Sequence, residues 1–292
     1  FITYNLTFNR AHEGMLLNFI SILFILPFFF LSATAGQLAD KYHRDKIAKI
    51  LKCIEFVLML LTAVAVFFKF YSGLIIILFF MSVQSAFFGP VKYSIIPQHL
   101  EECELIEGNA IIDGATYFSI LIGTILGAHI TSPNITVGIL VFCSLVGMLS
   151  SFKIPSAPAP RPDLSLSFNI FKTLRLTLKK ISEIRSIYIT ILGLSWFWAL
   201  GAVILTQLYP MCSDLLGLSR NAVAVFMFIF SLGMAAGTFV CTKVMRGIVH
   251  PTFVPLSSIG IGIATFFLYL FTKDYVTPDT HIGTVVFFKS IP

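Results

Sequence analysis

Eight apolar runs divide this chain, at 14–39, 47–70, 73–97, 108–131, 136–152, 187–211, 221–244 and 252–272. A helix of about 20 residues crosses the hydrocarbon core of a bilayer, and every run approaches or exceeds that length. Apolar side chains lie all round each run, as they do on a helix surrounded by lipid. Composition agrees. Of 292 residues, 57% are hydrophobic and 12% are charged, about half the charged share of a soluble domain. Twenty basic and 14 acidic side chains cannot coat the apolar remainder. A soluble globule, a disordered chain and a secreted disulfide scaffold are thereby excluded. The expected fold is an all-α polytopic membrane protein.

Charge gives the orientation. Lys41, Arg44, Lys46, Lys49 and Lys52 follow the first run, and Lys92 lies near the end of the third. Lys153, Arg161, Lys172, Arg175, Lys179, Lys180 and Arg185 follow the fifth, and Lys243 and Arg246 the seventh. With strict alternation these 15 of the 20 bases share one side, which the positive-inside rule makes cytoplasmic. The net charge of +6 therefore reflects the membrane and not nucleic acid. Cys53, Cys103, Cys143, Cys212 and Cys241 are scattered, with no Cys-x-x-Cys, and read as small apolar residues, not metal ligands. No cofactor or metal is expected.

The segment between the fifth and sixth runs is the one long loop. It opens with the proline-rich 155–162, read as a semi-rigid spacer. A helix over 170–181 follows. Ile170, Phe171, Leu174, Leu178 and Ile181 share one of its faces, and Lys172, Arg175, Lys179 and Lys180 the other. That pattern predicts an interfacial helix on anionic lipid. The expected organisation is an N-terminal half-bundle over 1–152, a cytoplasmic linker over 153–186 and part of a second half-bundle over 187–292.

After the first run the chain reads Gly36-Gln-Leu38-Ala-Asp40-Lys41-Tyr-His-Arg44-Asp-Lys46. This resembles the loop between helices two and three of the major facilitator superfamily. His43 stands where the family prefers glycine, and Asp45 where it prefers a base. Physically, Gly36 would allow close helix approach. Asp40 would accept hydrogen bonds at the membrane boundary from a helix N-terminus and from Arg44 or Lys41. The resemblance implies a conformational gate made of Gly36, Leu38, Asp40, Lys41 and Arg44. It also implies that the eight runs are helices two to nine of twelve. Residues 1–4 would end helix one, and the long loop would join the two halves.

Residues 26–41, 84–100, 107–110 and 121–127 are similar to one branch, the lysophospholipid transporter family. The Phe-Phe-Gly-Pro-Val-Lys-Tyr stretch at 87–93 is the most specific piece. The resemblance implies alternating access that carries lysophosphatidylethanolamine to the cytoplasmic leaflet of the bacterial inner membrane for re-acylation. Its expected partners are membrane lipids and a fused or associated acyltransferase.

Ionisable groups inside spans are penalised by hydrocarbon and are functional candidates by default. Glu55, Lys92 and Asp113 qualify, and Lys92 and Asp113 are expected at similar depth. Pro90 removes a backbone donor. Gln84, Tyr93 and Asn109 add polar groups suited to a phosphate and an amine. Gly123 and Gly127, with Gly233 and Gly237, have the spacing that lets helices pack closely. Three other outcomes stand beside the lipid carrier: a carrier of a small soluble metabolite, the membrane part of a fused acyltransferase, and an inactive fragment. No acyltransferase His-x-x-x-x-Asp, Gly-x-Ser-x-Gly or phosphate-binding Gly-x-x-x-x-Gly-Lys occurs, so no intrinsic enzyme activity is expected.

Overall fold

In a computed structural model, residues 10–130, 132–167, 169–245 and 253–273 are described. Residues 1–4, Arg246 and Lys289 lie outside them. Nine α-helices occur among the described residues: α1 (Arg10–Lys41), α2 (Arg44–Phe67), α3 (Tyr71–Ile95), α4 (Leu105–His129), α5 (Pro133–Ser151), α6 (Ile170–Glu183), α7 (Arg185–Pro210), α8 (Arg220–Met245) and α9 (Phe253–Thr272). All but α6 are long and apolar enough to cross a membrane, matching the eight runs. Phenylalanines such as Phe29, Phe142 and Phe271 stay exposed on these helices, as lipid solvation permits.

The chain forms two compact units. The first holds residues up to Leu100 and Ile130–Tyr188, which include α1, α2, α3, α5 and α6. The second holds Glu101–His129 and the chain from Ile189. This grouping cuts across the chain order expected from the long loop. Its cause lies in α4, which packs along α8.

In the first unit, α1 packs on α3, α3 on α2, α2 on α5, and α6 on α1. Pro27 lies inside α1, where the missing N–H disturbs one helical turn. The fully buried Ser82 hydroxyl of α3 donates to the Phe24 carbonyl of that turn, satisfying a polar group that lipid could not. At the end bearing the basic residues, Ala39, Ala48 and Val91 form a buried cluster against Ile47, Phe88, Ile95 and Ile154. Ends of α1, α2 and α3 and the start of the linker therefore meet at one knot.

The second unit has its own apolar cluster, Cys212, Leu216, Leu218, Ala222 and Val223. Here α7 unwinds into one π-type turn over Met211–Leu215. The Leu216 N–H donates to the Met211 carbonyl, and the turn exits through Gly217 at φ 62°. Glycine suits that left-handed conformation because it lacks a Cβ.

Candidate functional site

The gate loop is two residues long, Tyr42 and His43, between α1 and α2. Arg44 governs it. Its Nε donates to the Ala39 carbonyl at 3.1 Å, and Nη1 donates to the Ser94 carbonyl at 2.8 Å. Both acceptors lie in the last turns of helices, α1 and α3, where carbonyls lack intrahelical partners and the helix dipole attracts cations. One guanidinium thus ties two helix C-termini together. Asp40 Oδ1 lies 3.5 Å from Arg44 Nη2 and Asp40 Oδ2 lies 4.0 Å from Arg161 Nη1.

Of the two bases expected at Asp40, Arg44 is the one beside it, joined by Arg161 of the linker. The Lys41 ammonium sits over the Tyr42 ring, 5.9 Å from the centroid. One sequence expectation needs correction here: Gly36 does not permit a close approach, since a Cβ there would meet nothing within 4 Å. The small residues that α1 buries toward this end are Ala35 and Ala39.

The proline-rich segment is not a spacer but a strap laid over the gate. The Arg44 N–H donates to the Ala157 carbonyl at 2.9 Å, and the Ala157 N–H donates to Asp45 Oδ1 at 3.1 Å. Asp45 also binds Lys49 Nζ at 3.0 Å. Four residues on, the Arg161 N–H donates to the Asp40 carbonyl at 2.9 Å. Gln98, just past α3, donates to the Pro158 carbonyl at 2.9 Å. Ala157 is wholly buried and Asp45 only 5% exposed. Leu38 lies at the same end, and its carbonyl accepts the Tyr42 N–H at 3.0 Å.

Deeper in the first unit a polar group crosses from α2 to α3. Glu55 Oε2 is 2.8 Å from Lys52 Nζ and accepts a hydrogen bond from Gln84 Nε2 at 3.2 Å. Gln84 is buried and also donates to the Leu51 carbonyl at 3.3 Å. The Lys52 ammonium sits 4.6 Å from the centroid of the Phe88 ring, a cation–π geometry. Glu55 lies about 16 Å along α2 from Arg44, at about 1.5 Å of rise per residue. Two predicted candidates, Glu55 and Gln84, therefore share one network. Lys52, one of the bases that follow the first run, completes it.

The other candidates are spread over both units. Pro90 lies inside α3. Lys92 stands in its last turn, 4.7 Å from the centroid of the Tyr93 ring. Asn109 and Asp113 are on α4, in the second unit. The Asn109 amide donates to the Leu105 carbonyl one turn back, at 2.8 Å. Gly123, Gly127, Gly233 and Gly237 are exposed, and a Cβ on any of them would meet nothing within 4 Å. The tight glycine between α4 and α8 is Gly114, whose Cβ would lie 3.4 Å from Thr238 Oγ1 and 3.6 Å from the Phe239 ring.

An open groove of about 420 Å³ runs along α2. Ile50, Cys53, Ile54, Val57 and Leu58 line it with Phe152 and the Lys49 stem. Its hydrocarbon lining suits an alkyl chain. Among the described residues no cluster of His, Cys, Asp and Glu could hold a metal ion.

The profile of the Major Facilitator Superfamily matches residues 3–289. Lysophospholipid transporter LplT of Photorhabdus laumondii is 24% identical over 209 residues, covering 70% of this chain and 50% of that protein. The protein of that name from Cronobacter sakazakii is 24% identical over 262 residues, covering 86% and 62%. That from Klebsiella pneumoniae is 23% identical over 237 residues, covering 77% and 56%. The chain thus spans between half and two thirds of the length of these relatives. No solved structure matches it.

Proposed function

This chain belongs to the major facilitator superfamily, and from that premise we propose that it is the gate-bearing part of a lysophospholipid transporter. The carrying observation is the Arg44 clamp on the ends of α1 and α3, in a chain whose relatives bear that transporter name. A clamp built from helix-end carbonyls holds one arrangement firmly. A bundle end tied in this way suits the rigid-body rocking by which alternating access works. The proposed site of action is the bacterial inner membrane, with lysophosphatidylethanolamine moved to the cytoplasmic leaflet and handed to an acyltransferase. In this reading the chain is a carrier and does no chemistry itself. Lys92 and Tyr93 are proposed to meet the phosphate of the head group.

The test is uptake of labelled lysophosphatidylethanolamine by cells carrying the full-length gene, beside a labelled sugar phosphate. Uptake of the lipid and not of the sugar phosphate is expected. The reverse preference would make the protein a carrier of soluble metabolites. Lys92→Ala should abolish lipid uptake while the protein still accumulates in the membrane. Normal uptake by that variant would remove Lys92 from the pathway.

A further inference from the structure

Helix α6 carries features that transport does not use. Asn169 caps it, its side chain accepting the Lys172 N–H at 2.9 Å. Two contacts fix the depth of its start. The Ser167 N–H donates to Gln37 Oε1 of α1 at 3.4 Å, and Phe171 meets Phe30 of α1 edge-on, with centroids 5.9 Å apart. Thr173, 1% exposed, donates to the Ser167 carbonyl at 3.3 Å and locks the entry. Gln37 and Phe30 lie roughly 6 and 16 Å from the Lys41 end of α1 at about 1.5 Å per residue. The start of α6 is therefore sunk to the level of lipid head groups and upper acyl chains.

At that depth the protein leaves part of the apolar face bare. Phe171 is 72% and Leu178 56% exposed. Lys172, Arg175, Lys179 and Lys180 are exposed as well, and among the described residues none of them forms an ion pair. A water-covered α6 would leave the Phe171 ring and Leu178 facing water, with the four cations merely hydrated. An uncharged surface would satisfy only the first. A leaflet with anionic head groups satisfies both, with acyl chains against Phe171 and Leu178 and phosphates against the bases.

We propose that α6 is a docking surface for anionic phospholipid, which holds the linker on the cytoplasmic leaflet. This inference does not depend on what the protein transports. The test places the whole protein in proteoliposomes of phosphatidylcholine alone or mixed with phosphatidylglycerol. Native cysteines are replaced, and Leu178→Cys carries a bimane label. Quenching by iodide in water is compared with quenching by nitroxide lipid.

Phosphatidylglycerol should lower iodide quenching and raise nitroxide quenching. Each base near an anionic surface shifts such an equilibrium about fivefold. Neutralising all four, as K172Q/R175Q/K179Q/K180Q, should therefore weaken docking by up to about several hundredfold at low salt. Raising salt on the unaltered α6 should weaken it too, because charges near water are screened. Equal iodide quenching in both lipids would overturn the proposal, and so would protection that ignores lipid charge, as burial against a protein partner would give. Should the fourfold variant fail to insert, the salt series decides: nitroxide quenching that does not fall with salt overturns it equally.

Discussion

Asp45→Ala should unfasten the strap without unfolding the spans. In the native protein Asp45 Oδ1 accepts the N–H of Ala157, a residue with no exposed surface. Truncation leaves that N–H buried beside a methyl group. A hydrogen bond to a charged acceptor is worth about 1.5–3 kcal/mol, and an orphaned buried donor costs a similar amount. The freed Lys49 is partly exposed and adds little. A net loss of about 2–3 kcal/mol corresponds to roughly 30- to 150-fold in the local opening equilibrium. The assay is amide hydrogen exchange read by mass spectrometry on the solubilised protein. Peptides covering 155–161 should exchange faster by that factor, while those in α2 and α3 stay protected. Asp45→Asn keeps an acceptor oxygen and should lose less than half as much. Unchanged exchange over 155–161 in the alanine variant would refute the reasoning, because the strap would then be held by something other than Asp45.

The intramembrane pair makes a second expectation. Glu55→Leu strands the Lys52 ammonium inside a span and should cost about 3 kcal/mol, whereas K52L/E55L together should recover most of it; thermal unfolding in detergent separates the two, and equal loss would contradict the pairing. Between α4 and α8, Gly114→Leu should destabilise by about 1–3 kcal/mol through overpacking, while Gly123→Leu and Gly233→Leu should stay within about 0.5 kcal/mol. The same melting assay checks this, and a reversed order would mean that the exposed glycines carry the close contact.

The spans were legible because hydropathy alone decides which segments enter lipid, and α6 because its two faces separate cleanly at helical spacing. Glycine spacing was a poorer guide. Gly123 and Gly127 share a face, but no spacing rule says whether that face meets a helix. Gly114, which does meet one, belongs to no such pair. A charge count uses Lys52 only for orientation and does not pair it; its i, i+3 relation to Glu55 is the signal for the pair. The strap was hidden more deeply. Its bonds come mainly from the backbone of Ala157, Pro158 and Arg161, and side-chain chemistry does not announce backbone donors. One trace remained in Asp45, an acid standing among Arg44, Lys46 and Lys49 where the family prefers a base.

The strap also fixes the order in which the knot can open. Three backbone links hold it to the α1–α2 hinge: Arg161 to Asp40, and both the carbonyl and the N–H of Ala157 to Arg44 and Asp45. Among the hydrogen bonds of the described residues, only Gln98 to Pro158 links it to the end of α3, and that bond is exposed. An exposed neutral hydrogen bond contributes about 0.5–1.5 kcal/mol, less than the three hinge bonds combined. If the ends of α1 and α3 part, the strap should therefore stay with the hinge and leave α3 once Arg44 releases Ser94. Gln98→Ala should consequently leave the Ala157 and Arg161 amides as protected as before, in contrast to Asp45→Ala. Loss of protection at both amides in the Gln98 variant would mean that α3, not the hinge, carries the strap, and that the linker moves with the wrong partner for this gate.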